Sequence, residues 1–196
     1  MKKKKPHYTP LQFAQAPKWV EYEVDMLIKS RKLHYEAHEK MGKIEDLNEQ
    51  EYWRTVQTCA LESFLVHYRN LKQFLNNKRP FDTDVAAEDY SDNRPCAAVT
   101  ETYPNEDARI NQLLAHISYT RDDLGRGSWD KLDQMEEAIL DAFERYIPTI
   151  KPEFRSQFAR TTEALARLRP HPGMGSTGNS ADTMTVTTFR WWWRGN

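Results

Sequence analysis

The sequence predicts an all-α protein, an up-and-down antiparallel bundle of four to five helices, and three observations carry that reading. Apolar residues recur at spacings of three and four through several long segments, the period that gathers them on one side of a helix. Outside a weak TMTVTTF near the C-terminus, no stretch alternates apolar and polar residues over strand length between turn residues. Proline or glycine closes most of the periodic segments.

Each element follows in order. From Lys18 to about Met41, Val20, Val24, Leu27, Ile28 and Tyr35 mark a first helix. The segment QEYWRTVQTCALESFLVHYRNLKQFL then carries Trp53, Val56, Ala60, Leu61, Phe64, Tyr68, Leu71 and Leu75 on one stripe, a second helix of about 26 residues. Asn76, Asn77, Arg79 and Pro80 end it, because proline cannot continue the hydrogen-bond ladder. Residues 80 to 104 hold Pro80, Pro95 and Pro104 and read as a long loop packed on the bundle, with room for a turn or two of helix at DVAAEDY. Asn105 is a candidate N-cap for a third helix, with Glu106 and Asp107 at the positive end of its dipole. Ile110, Leu113, Leu114, Ile117 and Leu124 give it a buried side, and Gly125 and Gly127 stop it. Ser128 caps a fourth helix with an inward stripe of Trp129, Leu132, Met135, Ile139, Phe143 and Tyr146, running to Pro148. Pro152 suits the first turn of a fifth, narrower helix carrying Phe154, Phe158 and Leu165.

The domain reading is a charged N-terminal tail over 1–16, a helical bundle over 17–168 and a disordered tail over 169–196. That last stretch opens on HPGMGSTGNSADT, which has no period able to bury a face. It ends in RWWWRGN, where Trp191 to Trp193 could dock a partner or stack on bases.

Composition excludes several classes. A chain of 196 residues holds one domain with a real core. Its 28 lysines and arginines nearly cancel 29 aspartates and glutamates, so the whole chain has no electrostatic footprint for nucleic acid, and any such contact must be local. Cys59 and Cys96 make neither a disulfide framework nor a zinc site. MKKKKPHYTP is followed by no apolar segment of signal-peptide or membrane-span length, which predicts a soluble, cytoplasmic protein without membrane partners. No glycine-rich phosphate loop, nucleophile-elbow serine or suitably spaced Cys–His pair is present.

The residues left with chemistry to offer are few. Arg109 and His116 stand seven apart in ARINQLLAHISYTR, a spacing that returns to within about 20° on a helix with roughly 10 Å of rise. They share a boundary face with Thr120 and Asp123. Imidazole moves protons near neutral pH and guanidinium grips phosphate oxygens with two parallel hydrogen bonds, so the pair suits phosphodiester cleavage without metal. Arg109 could equally pair with Glu106 or Asp107. His67 falls near the buried stripe of the second helix and reads as a hydrogen-bonded core histidine, placed where it could support the third-helix pair. His34 and His38 are four apart, a spacing two metal ligands can use, yet no glutamate stands three before any histidine of the bundle as carboxylate-bridged sites require. No metal or cofactor is expected.

An antiparallel α-bundle bearing arginine, six intervening residues and histidine resembles the HEPN superfamily over about residues 18 to 168. The resemblance implies a metal-independent ribonuclease of a toxin–antitoxin or defence system, acting as a homodimer on RNA with an antitoxin or other protein partner. It implies His116 as general base or acid for attack by the RNA 2′-hydroxyl and Arg109 as stabiliser of the phosphorane-like transition state. Non-catalytic HEPN domains also exist, so the alternative is a protein-interaction bundle using the 80–104 loop or the Trp191–Trp193 tail.

Overall fold

The computed structural model describes residues 9–92, 98–115 and 129–168. Among them are six α-helices and no strand, only an isolated antiparallel bridge between Ser91 and Ile150. The all-α expectation is met. No helix among the described residues is long and apolar enough to cross a membrane. The expected tail over 169–196, the three tryptophans in it and the first eight residues lie outside the described residues.

Helix α1 runs Pro10–Met41, eight residues longer at its start than the apolar period from Lys18 indicates. A capping box opens it: the Thr9 hydroxyl accepts the Gln12 N–H at 3.2 Å and the Gln12 side chain accepts the Thr9 N–H at 2.8 Å. Residues 10–16 therefore belong to the bundle rather than to a tail, and Ala16 is buried. Pro17 sits inside the helix, where its missing N–H deprives the Phe13 carbonyl of an i+4 donor. The Tyr90 hydroxyl donates to that carbonyl at 3.0 Å, and the two rings stack with centroids 4.7 Å apart.

Helix α2 covers Leu47–Leu75, with Asp46 accepting the Asn48 and Glu49 N–H groups at 2.8 and 3.0 Å. Proline is not what stops it. Asn77 adopts the left-handed conformation (φ 56°), and the Asn77 and Lys78 N–H groups bond back to the Phe74 and Gln73 carbonyls at 3.1 and 2.9 Å. This is a Schellman closure, with asparagine in place of glycine. The side chains of Asn76 and Asn77 then accept the Val99 and Glu88 N–H groups, fastening the following segment to the end of α2.

That segment packs as expected of 80–104, with one short helix, α3 (Ala87–Tyr90). Ala86, Ala87 and Tyr90 are fully buried, and Arg79 holds Asp89 at 2.5 Å. Helix α4 (Glu106–Ala115) and α5 (Leu132–Tyr146) complete the bundle. The fourth helix thus begins at Leu132, with Trp129 buried just before it; Ser128, its expected cap, lies outside the described residues. The chain after Pro152 is a 3-10 segment to Phe158, and α6 (Ala159–Leu168) starts only there. Phe154 and Phe158 meet Tyr90 edge-on at 5.2 and 5.6 Å, so this tighter coil closes over the same tyrosine.

Cross-helix pairs fix the directions. Along α1, Glu23, Ser30 and His34 meet His67, Ser63 and Gln57, so α1 and α2 are antiparallel. Lys72 meets Glu106 while Arg69 meets Asn111, which makes α4 antiparallel to α2. Arg31 reaches Glu136 and Tyr35 reaches Asp133, which makes α5 antiparallel to α1. Helices α1, α2, α4 and α5 therefore alternate up and down around a core that includes Leu27, Phe64, Leu71, Ile110, Ile139 and Phe143.

Tyr90→Phe should cost about 1 kcal/mol in urea unfolding. In a Pro17→Ala background residue 17 regains an N–H that can serve the Phe13 carbonyl, so the cost of Tyr90→Phe should fall by about half. Equal costs in both backgrounds would show that the hydroxyl does not serve this carbonyl.

Candidate functional site

The start of α4 is set by a buried charge cluster. Lys72, only 2% exposed, reaches Glu106 at 2.9 Å, Asp107 at 2.7 Å and Glu101 at 3.2 Å. Glu106 is fully buried and also accepts the Tyr68 hydroxyl at 2.7 Å and the Thr102 and Tyr103 N–H groups at 3.0 and 3.2 Å. Burial opposes the Lys72 charge, but hydrogen bonds to Asp107 and Glu106 outweigh it and hold the ammonium above its ordinary value. For Asp107, burial is likewise overcome, by Lys72 and Lys78, and its carboxyl lies below its ordinary value. Burial and then the Glu106 contact push the Tyr68 phenol upward, so it remains a donor.

One turn further along α4, Arg109 is half-buried and lies against two rings, with its guanidinium 4.6 Å from the Tyr103 centroid and 4.8 Å from that of Trp129. The rings meet at 73°, forming a two-walled aromatic corner. Tyr103 is locked there: its hydroxyl donates to Asp130 at 3.2 Å and accepts the Lys131 N–H at 2.8 Å. Burial raises that hydroxyl to about 12, the Lys131 N–H working against the shift and Asp130 with it. The Lys131 ammonium lies 5.4 Å from the same ring, so two cations flank Tyr103. Glu106 and Asp107, the partners sequence proximity offers Arg109, are occupied by Lys72, Tyr68 and Lys78. Among the described residues no carboxylate forms an ion pair with Arg109.

His116, Thr120 and Asp123 lie outside the described residues; α4 is helical through Ala115, the residue before His116. His67 is described, and it does not face α4. Its Nδ1 lies 2.7 Å from Glu23 of α1, Asn70 donates to the same oxygen at 3.2 Å, and Tyr22 meets the ring edge-on. It is a core histidine with a fixed partner, and nothing joins it to Arg109. Glu23, Arg69 and Asn70 line a cleft of about 560 Å³ between α1, the end of α2 and the following loop, rimmed by Trp19 and Phe81; Arg109 is not part of it.

His34 and His38 are both taken up by Gln57, which meets them at 3.5 and 3.3 Å, and burial lowers His34. Among the described residues no group of three histidines, cysteines or carboxylates is arranged to hold a metal. Compared with known proteins, the chain matches no family model, no curated protein and no solved structure. The aromatic corner escaped sequence reasoning because Tyr103 and Trp129 lie in separate segments. Lys72, by contrast, had a signal, since it stands four after Tyr68 and three before Leu75 on the buried stripe.

Removing Lys72 strands Glu106, so Lys72→Met should lower stability by about 3–5 kcal/mol, whereas Lys78→Ala, at the exposed edge of the cluster, should cost under about 1 kcal/mol. The Asp107 contribution is complete above its ordinary value of 3.8 and disappears as pH falls through the depressed folded value. Urea midpoints measured between pH 2 and 6 should therefore fall less steeply on acidification in Asp107→Asn than in the native chain.

Proposed function

We propose that the chain is a HEPN-like bundle that binds RNA phosphate at Arg109 and cleaves the phosphodiester without a metal, with His116 of the same chain handling the proton. His116 takes the proton of the 2′-hydroxyl as it attacks phosphorus, the bond to the 5′-oxygen breaks, and a proton returns to that leaving oxygen. Arg109 bridges the equatorial oxygens as negative charge builds on them. The protein works as a homodimer with an antitoxin or other protein as partner. Thr120 and Asp123, eleven and fourteen residues after Arg109 in the sequence, are the remaining positioning candidates.

The observation that supports this reading is the state of Arg109. Its neighbouring carboxylates are occupied by lysines, and its planar group rests on Tyr103 and Trp129. Stacking engages the faces of a guanidinium and leaves its in-plane N–H donors for a ligand. Lys131 adds a second cation beside the same ring, which supplies the local positive charge that the near-neutral chain lacks.

A second reading, a non-catalytic interaction bundle, is favoured by the exposed apolar residues along α1. The two separate in one assay. Structured and unstructured RNA incubated with the purified chain in excess chelator should be cleaved, and His116→Ala should reduce the rate by roughly 100-fold or more with the circular dichroism melt unchanged. Arg109→Lys keeps the charge but loses the two-pronged grip, so its rate should fall too. Persistent inactivity of the native chain, or activity indifferent to His116→Ala, gives the interaction reading the field.

A further inference from the structure

The cleft between α1, the end of α2 and the loop that follows has the build of a small-molecule site. Its volume of about 560 Å³ falls inside the roughly 300–1,000 Å³ that such sites span, and it shares their make-up, an apolar bed with a few polar groups around it. Ala16, Val20, Leu71 and Phe74 form the bed and are buried, while Trp19 and Phe81 at the rim are 61% and 71% exposed. Three aromatic side chains thus line one concavity, and rings gain from packing on a further ring.

Arg69 is the charge in the cleft with no internal counter-charge. It lines the cleft from α2, and Asn111 of α4 accepts from its Nη1 at 3.0 Å, which fixes the guanidinium. Its Nε is buried and has no acceptor, and among the described residues no carboxylate pairs with it. A buried donor left unmet costs stability, and a guanidinium edge takes a carboxylate in two parallel hydrogen bonds. The other charged groups are engaged. Lys78 is held by Asp107 at 2.7 Å, Glu23 meets His67 at 2.7 Å and Asn70 at 3.2 Å, and Asp84 accepts the Phe81 N–H at 2.8 Å. Arg69 and Lys78 are balanced by Glu23 and Asp84 along the lining, so the cleft offers one open guanidinium but no positive field to hold a dianion. Gln15 and Gln73 also line it and offer neutral donors.

The geometry points to this cleft as a binding site for a small aromatic carboxylate, its single negative charge paired with Arg69 and its ring packed among Trp19, Phe74 and Phe81. The site stands apart from the RNA chemistry at Arg109, which is no part of the cleft.

The test is calorimetric titration of the full chain with three probes that share a naphthalene ring. 2-Naphthoate should bind at one site per chain, and 2-naphthalenemethanol, which keeps the rings and loses the charge, should bind roughly tenfold or more weakly. 2-Naphthyl phosphate at about pH 8, where a phosphate monoester is doubly charged, should bind no better than naphthoate. Arg69→Gln should lower the naphthoate affinity roughly tenfold or more and leave that of the alcohol nearly unchanged, whereas Trp19→Ala should weaken both. Trp19 is at the surface, so its variant and the comparison of probes on the native chain decide the matter even if Arg69→Gln disturbs folding. Absence of naphthoate binding at millimolar concentration overturns the site, and so does binding that ignores both substitutions. Equal affinity for acid and alcohol overturns the role of Arg69, and tighter binding of the phosphate overturns the carboxylate as ligand. RNA cleavage in the chelator assay bears on none of these outcomes.

Discussion

The rest of the structure depends on the ammonium of Lys72, because a charge placed inside a bundle must be surrounded by partners or the bundle does not form. Three carboxylates meet that demand, from the segment before α4 and from the first turn of α4, and the Tyr68 phenol of α2 donates to one of them, Glu106. Glu106 does two jobs in the cluster: one oxygen faces Lys72 and Tyr68, the other gathers the N–H groups of Thr102 and Tyr103. The polar knot thereby fixes where α4 begins and which way Tyr103 leaves it. It also decides what is left for Arg109. With Glu106 and Asp107 occupied, the guanidinium turns to the rings of Tyr103 and Trp129, and no carboxylate among the described residues neutralises it.

A second constraint explains the length of the segment between α2 and α4. That segment delivers two side chains: Tyr90 to the Phe13 carbonyl, which Pro17 has no N–H to serve, and Glu101 to Lys72. Asn76 and Asn77 accept its Val99 and Glu88 N–H groups at the close of α2, which fastens a mostly irregular segment to the bundle. Tyr90 is the centre of this arrangement. Phe13 stacks on it, and Phe154 and Phe158 meet it edge-on, which joins α1 to the 3-10 segment after α5.

Much of this architecture was legible from apolar spacing alone. The stripes of α2 and α5 were read to within a few residues because each helix buries one broad face, and that face repeats every 3.6 residues. The start of α1 was misplaced for an opposite reason. Thr9 and Gln12 form an open local signal, but a helix that continues through Pro17 relies on a hydroxyl 77 residues away, which no local window contains. Lys72 carries a signal that the sequence reading does not use, a charge on an apolar stripe, while its partners carry none, since they arrive from α4 and the segment before it. Arg109 was visible as a candidate, yet Tyr103 and Trp129 meet only after α4 and α5 pack. His67 read correctly as a hydrogen-bonded core residue; its partner proved to be Glu23 on α1, so its support for a site on α4 has no geometric basis.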